Sequence, residues 1–331
     1  MSDPLSLFNF DIKFDEVSRY GNAGVYRHGD DEYVIDSEEG RRIASDPSIY
    51  GGPFEESNLA MARYAVRFMK ELGLLDEKLV IQHVLRASLG YRIRDALQET
   101  GKEFGELWTR PVYSYTSYRT HTVDDLTISH DAPDTIPASG DFYLLKPDTE
   151  ASGFTSLKVL DNFFKKCSAQ NCRVKAVVLY GFISRVAVDR VKSYLSSKNV
   201  KTITIAIENI TPLSENGYDM PLYGIDDQAY SSRGTKVKLA SAVPTTVLQS
   251  MLYDYYPGMD QPGDWSDRQT RLYDGTTWNK VDPLVHLNRS LKILEKMRAI
   301  NRTEEWYTER HEKIYSKLKD KLNAEIQRNS G

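Results

Sequence analysis

Residues Pro147-Asp-Thr-Glu-Ala-Ser-Gly-Phe-Thr155 have the composition of an anion-binding turn. The small residues Ala151, Ser152 and Gly153 let successive backbone N–H groups approach an anion closely. The helix that follows, starting near Phe154, points its positive end at the same place. Ser152 and Thr155 add hydroxyl donors, while Asp148, with Glu150 as a second acid, can accept hydrogen bonds from sugar hydroxyls. An acid beside an anion is costly unless the ligand also carries hydroxyls or a divalent cation, and a phosphorylated sugar supplies the hydroxyls. An isolated turn of this kind more often marks tight packing, so its neighbours decide the reading.

Three further segments extend the pattern. In Leu85-Arg-Ala-Ser-Leu-Gly-Tyr91, Arg86 followed by Ala87 and Ser88 offers a fixed positive charge and exposed amides to a second, diphosphate-like anion. The polar segment Tyr113 to Ser139 is long enough for a lid, with Tyr118 and Arg119 as candidates to reach a leaving diphosphate; its alternative is an edge hairpin. In Leu213 to Asp227, Gly217, Pro221 and Gly224 bend the backbone. With Tyr218, Met220 and Ile225, that bend could face the edge of a pyrimidine, and Asp226 or Asp227 could assist a metal or the sugar.

These segments need a scaffold, and the hydrophobic pattern supplies one. Residues 57 to 74 repeat apolar side chains at helical spacing and stop at Gly73. Three strand-and-helix pairs follow: 78 to 85 before YRIRDALQE, 142 to 145 before SLKVLDNFFKK, and 174 to 183 before VAVDRVKSYL. A last strand is predicted at 201 to 210. Apolar β-branched runs alternating with amphipathic helices predict an α/β fold with a doubly wound, mostly parallel sheet, whose ligands bind at the carboxyl ends of the strands. All four segments fall at such ends.

Residues 1 to 54 are expected to form an N-terminal arm or small hairpin region, 55 to 230 the main domain, and 231 to 331 a C-terminal loop and helical extension. One helix is predicted from Asp282-Pro283 to about Ala299 and another from Thr303 toward Gln327. The apolar stripe of the second predicts packing against its own domain or a twin subunit, hence a homodimer or higher homo-oligomer; a protein partner at these helices is the alternative.

Composition limits the remaining classes. A net charge of −4 gives no general electrostatic reason to bind nucleic acid, and 40% hydrophobic with 27% charged residues is ordinary for a globular protein. No run approaches a membrane span and the N-terminus is not signal-like, so a cytoplasmic location is expected. Cys167 and Cys172 lack a second ligand pair and the six histidines lack paired spacing, so no structural metal is expected.

In this order on this sheet, the four segments resemble the type I phosphoribosyltransferases, and among them the uracil phosphoribosyltransferases, over roughly residues 55 to 230. VLRASLGY is similar to that family's diphosphate loop, SYRTHTVDD to its flexible catalytic loop, PDTEASGFT to its phosphoribosyl loop, and ENGYDMPLYGID to its uracil-binding loop. The resemblance implies transfer of a 5-phosphoribosyl group from phosphoribosyl pyrophosphate to a uracil-like base, with release of diphosphate. It implies Mg2+ carried mainly by the diphosphate, with Asp226 or Asp227 as outer ligands. Asp148 would hold the ribose hydroxyls, residues 151 to 155 the 5-phosphate, Arg86 and Arg119 the leaving group, and residues 217 to 226 the base. The chain departs from the family in having Pro147 where an acid is usual, in Ile225 between Gly224 and the aspartate, and in residues 231 to 331. Those departures motivate the alternatives: a nucleotide sensor or component of a larger assembly on the same fold, or a transferase with another acceptor.

Overall fold

The computed structural model describes residues 8–9, 15–85, 87–113, 126–132, 137, 140–169, 172–214, 217–222, 239–240, 244–259 and 265–330. The chain begins with β1 (Phe8–Asn9), β2 (Asp15–Tyr20), β3 (Ala23–Gly29), β4 (Glu32–Asp36), α1 (Glu38–Ser45) and α2 (Gly51–Glu71). Then come β5 (Lys78–Val84), α3 (Ile93–Glu99), β6 (Gly105–Tyr113), β7 (Leu126–Ala132), β8 (Gly140–Pro147), α4 (Phe154–Ala169), β9 (Cys172–Ser184), α5 (Arg185–Ser196) and β10 (Lys201–Thr211). The last part holds β11 (Leu239–Ala240), α6 (Thr245–Asp254), β12 (Arg271–Tyr273), β13 (Trp278–Lys280), α7 (Pro283–Asn301) and α8 (Glu309–Ser330).

A nine-stranded sheet in the order β2-β3-β4-β10-β9-β8-β5-β6-β7 organises the molecule. Strands β4, β10, β9, β8, β5 and β6 run parallel, and the antiparallel strands lie at the two margins. The central strands read as unbroken apolar runs because both faces are covered; Val177, Val178 and Leu179 of β9 and Ile205, Ala206 and Ile207 of β10 are all buried. The predicted doubly wound α/β class and all four of its predicted strands are present.

One expectation is corrected. Residues 15–36 are three strands of the main sheet, not a separate arm: β4 pairs in parallel with β10, and β3 and β2 follow it outward. The lid candidate contains β7, paired antiparallel with β6, which matches the edge-hairpin alternative for residues 126–132. Residues 114–125, 133–136 and 138–139 of that segment lie outside the described residues.

The order of connections fixes where a ligand belongs. From β5 the chain goes to β6 on one side, whereas from β8 it goes to β9 and β10 on the other. The point of reversal is the β5–β8 boundary, and a crevice opens between the loops at the carboxyl ends of such neighbours. Those loops are residues 85–92 and 148–153.

The C-terminal part is anchored to the sheet domain by two buried residues. Trp265 stacks on Tyr91, with ring centroids 4.5 Å apart, and meets Phe54 and Phe182 edge-on. The fully buried Arg268 donates to the carbonyls of Ile49, Ile43 and Asp46 at 2.8, 2.6 and 3.0 Å, joining the segment to the connection between α1 and α2. Helices α7 and α8 then bury Leu287, Leu294, Met297, Tyr315, Leu318 and Leu322 in a second cluster. Asp282 caps α7 as expected, its Oδ1 accepting from the Leu284 N–H at 2.9 Å, whereas α8 starts at Glu309, six residues later than predicted, after a connection at 302–308.

Replacing Arg268 with Met strands three buried carbonyls. Urea unfolding is expected to show a loss on the order of 3 kcal/mol for Arg268→Met; a loss below about 0.5 kcal/mol would mean that the anchor is dispensable.

Candidate functional site at the carboxyl ends of β5 and β8

Beyond Pro147 the β8–β9 ladder continues without a formal strand. The Asp148 N–H donates to the Tyr180 carbonyl at 3.0 Å, the Glu150 N–H to the Phe182 carbonyl at 2.8 Å, and the Ser184 N–H to the Glu150 carbonyl at 2.9 Å. An extended chain alternates its side chains, so Lys146, Asp148 and Glu150 share one face. All three are buried. Lys146 Nζ donates to Asp148 Oδ2 at 2.9 Å and to Glu150 Oε1, and Ser156 Oγ donates to Glu150 Oε2. Asp148 Oδ1 also receives the Thr149 N–H at 2.9 Å. Gly181, at φ 145°, makes the close pairing sterically feasible, since a Cβ there would lie 2.1 Å from the Asp148 carbonyl oxygen.

This corrects the role expected of the acid pair. Asp148 and Glu150 were read as acceptors for sugar hydroxyls, but their oxygens are directed to a buried lysine within the strand. Burial pushes the Asp148 carboxyl up to about 6 from its ordinary 3.8, against the pull of Lys146, and the neighbouring Glu150 adds to the rise. Burial alone would lower Lys146, but the two carboxylates outweigh it and raise it. One cation facing two acids leaves the second acid poorly compensated, which favours retention of a proton.

The turn proper is therefore Ala151-Ser-Gly153. Gly153 adopts φ 77°, and a Cβ there would lie 3.2 Å from Ala187 Cα, so its glycine serves both the turn and the packing of α5. Ser152 Oγ lies 3.5 Å from the Phe154 N–H at the start of α4, and Thr155 Oγ1 is 2.8 Å from Tyr113 Oη at the end of β6. Ala151, Ser152, Phe154 and Thr155 are partly exposed, as a binding turn requires.

The sequence reading missed Arg190 on α5. Its guanidinium lies 4.1 Å from the Phe154 ring centroid and donates to the Ser152 carbonyl, with no carboxylate partner among the described residues. The helical spacing of α5 alone could not have shown that this cation returns to the turn.

The loop after β5 is tied to the turn by Tyr91. The Phe182 N–H donates to Tyr91 Oη at 3.3 Å, so the Tyr91 hydroxyl proton is free to serve Thr149 Oγ1 at 2.5 Å. Ser88, expected to face a diphosphate, is instead buried with its hydroxyl 3.4 Å from His83 Nδ1. Burial lowers the His83 pKa, holding the ring neutral at pH 7; its Nε2 donates to Glu106 at 2.9 Å and leaves Nδ1 to accept from Ser88. Ala87 is partly exposed. Arg86 lies outside the described residues.

Past β10, the Ser214 N–H donates to the Asp219 carbonyl at 2.8 Å and the Gly217 N–H to the Ser214 carbonyl at 2.9 Å. Gly217, at φ 74°, and Tyr218 are partly exposed, but Met220 is buried in the main core and cannot serve as a substrate contact in this arrangement. Tyr118, Arg119, Gly224, Ile225, Asp226 and Asp227 lie outside the described residues. Among the described residues no cluster of three or more metal-ligating side chains occurs. Asp148 and Glu150, engaged by Lys146, do not fit a magnesium site.

No protein-family model matches the chain, and no curated protein matches it. Solved structures with some likeness include adenine phosphoribosyltransferase from Leishmania donovani, with a TM-score of 0.36 and 14% identity over 62% of this chain and 90% of that one. The Trypanosoma brucei adenine enzyme gives 0.35 and 12% over 58% and 89%, and a Staphylococcus aureus hypoxanthine phosphoribosyltransferase 0.28 and 15% over 38% and 64%. The chain thus spans under two thirds of the length of the S. aureus protein. At these values the likeness carries no weight for function, and the α/β class rests on the strand order of the chain itself. No helix among the described residues is long and apolar enough to cross a membrane.

The raised Asp148 pKa has a thermodynamic consequence. The folded state holds this proton more tightly than the unfolded chain, so the stabilisation is complete below about pH 4 and is lost as pH rises through about 6. Over that window the wild type is expected to lose on the order of 2–3 kcal/mol that Asp148→Asn does not lose. Urea unfolding at a series of pH values measures the difference; equal slopes would place the titration elsewhere.

Proposed function

We propose that the chain is a phosphoribosyltransferase that transfers the 5-phosphoribosyl group of phosphoribosyl pyrophosphate to a pyrimidine-like, uracil-like base. The observation that carries this reading is the placement of the Ala151–Gly153 turn. It sits at the sheet's point of reversal, at the positive end of the 16-residue helix α4 and beside Arg190, which has no carboxylate partner among the described residues. Oriented amides, a helix N-terminus and a guanidinium together suit a dianionic 5-phosphate.

In this reading the amides of 152–154, the hydroxyls of Ser152 and Thr155, and Arg190 hold the phosphate. Tyr91 keeps the turn and the loop after β5 in register, so that a diphosphate at the second loop is placed relative to the sugar. The reaction breaks the bond from the anomeric carbon to the diphosphate oxygen and forms one to a ring nitrogen of the base, whose proton passes to solvent. Positioning and charge stabilisation supply the rate. The turn that ties Ser214 to Gly217 and Asp219 is a candidate edge for the base, and Asn209 Nδ2 donates to the Leu222 carbonyl at 3.3 Å close by in the chain. Magnesium enters only as part of the diphosphate substrate, and no step is assigned to it.

A second reading has its own observation. The inward acid pair leaves the turn without a described carboxylate for the ribose hydroxyls, which favours a protein on the same scaffold that binds phosphoribosyl pyrophosphate without turning it over.

The test is mass spectrometry of products after incubation with phosphoribosyl pyrophosphate, Mg2+ and a nucleobase mixture. Transfer predicts a nucleoside monophosphate, with kcat/KM lowered at least tenfold in Arg190→Gln. Tight binding with no product from any base would select the second reading, and the absence of binding would remove both.

A further inference from the structure

A second cleft lies on the outer side of the loop after β5, away from the Ala151–Gly153 turn. It has a volume of about 630 Å³ and is walled by Leu89, Gly90 and Trp108 on one side and by Gln269, Arg271 and Trp278 of the C-terminal segment on the other. That volume is in the range of cavities that hold small organic ligands.

The polar groups of the cleft divide into those already engaged and those left over. Arg92 is paired with Asp95 at 2.6 Å and with Glu55 at 3.5 Å, Arg94 with Glu106 at 2.8 Å, and Glu55 also accepts from the Thr270 N–H and hydroxyl at 2.9 and 2.6 Å. Gln269 also lines the cleft but is only 6% exposed, its Nε2 buried with no hydrogen-bond partner among the described residues. One cation is left over. Arg271 has no ion pair among the described residues, and its guanidinium lies 4.5 Å from the ring centroid of Trp278.

The apolar part of the cleft adds the second requirement. Trp278 is 52% exposed, one of the few large apolar side chains in the structure left so open, although it sits in a hairpin fixed by Asp274, whose carboxylate accepts from the N–H groups of Thr276 and Thr277 at 2.9 Å each. Trp108 offers a second, partly exposed indole, braced from behind by His83 at 4.1 Å. Unspent donors beside open aromatic surface suit an anion that carries a flat ring.

We propose that this cleft binds a small organic anion bearing an aromatic ring, with Arg271 meeting the anionic group and Trp278 and Trp108 meeting the ring. This site is separate from the phosphoribosyl reading and does not depend on it.

Calorimetric titration of the full chain tests the proposal with three probes: adenosine monophosphate, which has ring and anion; ribose 5-phosphate, which lacks the ring; and adenosine, which lacks the anion. Arg271→Gln and Trp278→Ala change exposed side chains and are expected to keep the unfolding temperature of the parent. With the turn blocked by Gly153→Val, each is expected to weaken adenosine monophosphate at least tenfold, and adenosine is expected to bind at least tenfold more weakly than its monophosphate; with the turn intact, each is expected to leave ribose 5-phosphate within twofold. Gly153→Val, which blocks the Ala151–Gly153 turn, is expected to do the reverse: it abolishes ribose 5-phosphate binding and spares the cleft. Adenosine monophosphate binding that is absent, or unchanged in both Arg271→Gln and Trp278→Ala, would overturn the proposal; so would parallel loss of ribose 5-phosphate in Arg271→Gln, which would remove the ring requirement. Failure of ribose 5-phosphate to bind the parent counts against the transferase reading alone.

Discussion

The backbone ladder that carries β8 past its formal end to Glu150 is the constraint on which the rest of the site depends. Its three hydrogen bonds to β9 decide which side chains point inward, where the chain is released from the sheet, and how short the remaining turn must be. Only Ala151, Ser152 and Gly153 are left between the ladder and α4, so the turn delivers its amides to the helix N-terminus with little slack. Gly181 is part of the same constraint, because any side chain there would collide with the Asp148 carbonyl and push the two strands apart.

The ladder also explains why the interior holds a lysine and two acids. Burying ions is expensive, and an isolated buried charge would neutralise; Lys146 is tolerated because it faces two carboxylates, and the Ser156 hydroxyl donates to the second oxygen of Glu150. The arrangement links the strand to α4 through Ser156 and so fixes the helix relative to the turn. Tyr91 does the equivalent across the crevice, reaching β9 and Thr149 with a single hydroxyl, while Trp265 packs against its ring. Through Trp265, the C-terminal residues pack against the loop after β5.

Much of this fold was legible in the sequence because parallel strands buried on both faces leave an apolar signature that survives without any tertiary information. The strands predicted at 78 to 85, 142 to 145, 174 to 183 and 201 to 210 were visible for that reason. Strand β6 was not, since Glu106, Thr109 and Arg110 interrupt its apolar residues at the margin of the sheet, and β2 to β4 read as an isolated hairpin because their partner β10 is over 160 residues away. The position of the turn was legible from its small residues. The facing of Asp148 and Glu150 was not, because Pro147 looked like the end of the strand when pairing in fact runs on for three more residues. Arg190, Gln269 and Arg271 carry no local signal, and only the packing of α5 and of the C-terminal hairpin brings them to the loops.

The central claim is that the residues released from this ladder form a phosphate site. Amide hydrogen exchange with and without ribose 5-phosphate tests it most directly, with ribose as the control. The expected result is slowed exchange at 151–157 with the phosphorylated sugar and none with ribose; exchange at those amides that is unchanged by saturating ribose 5-phosphate would contradict the account.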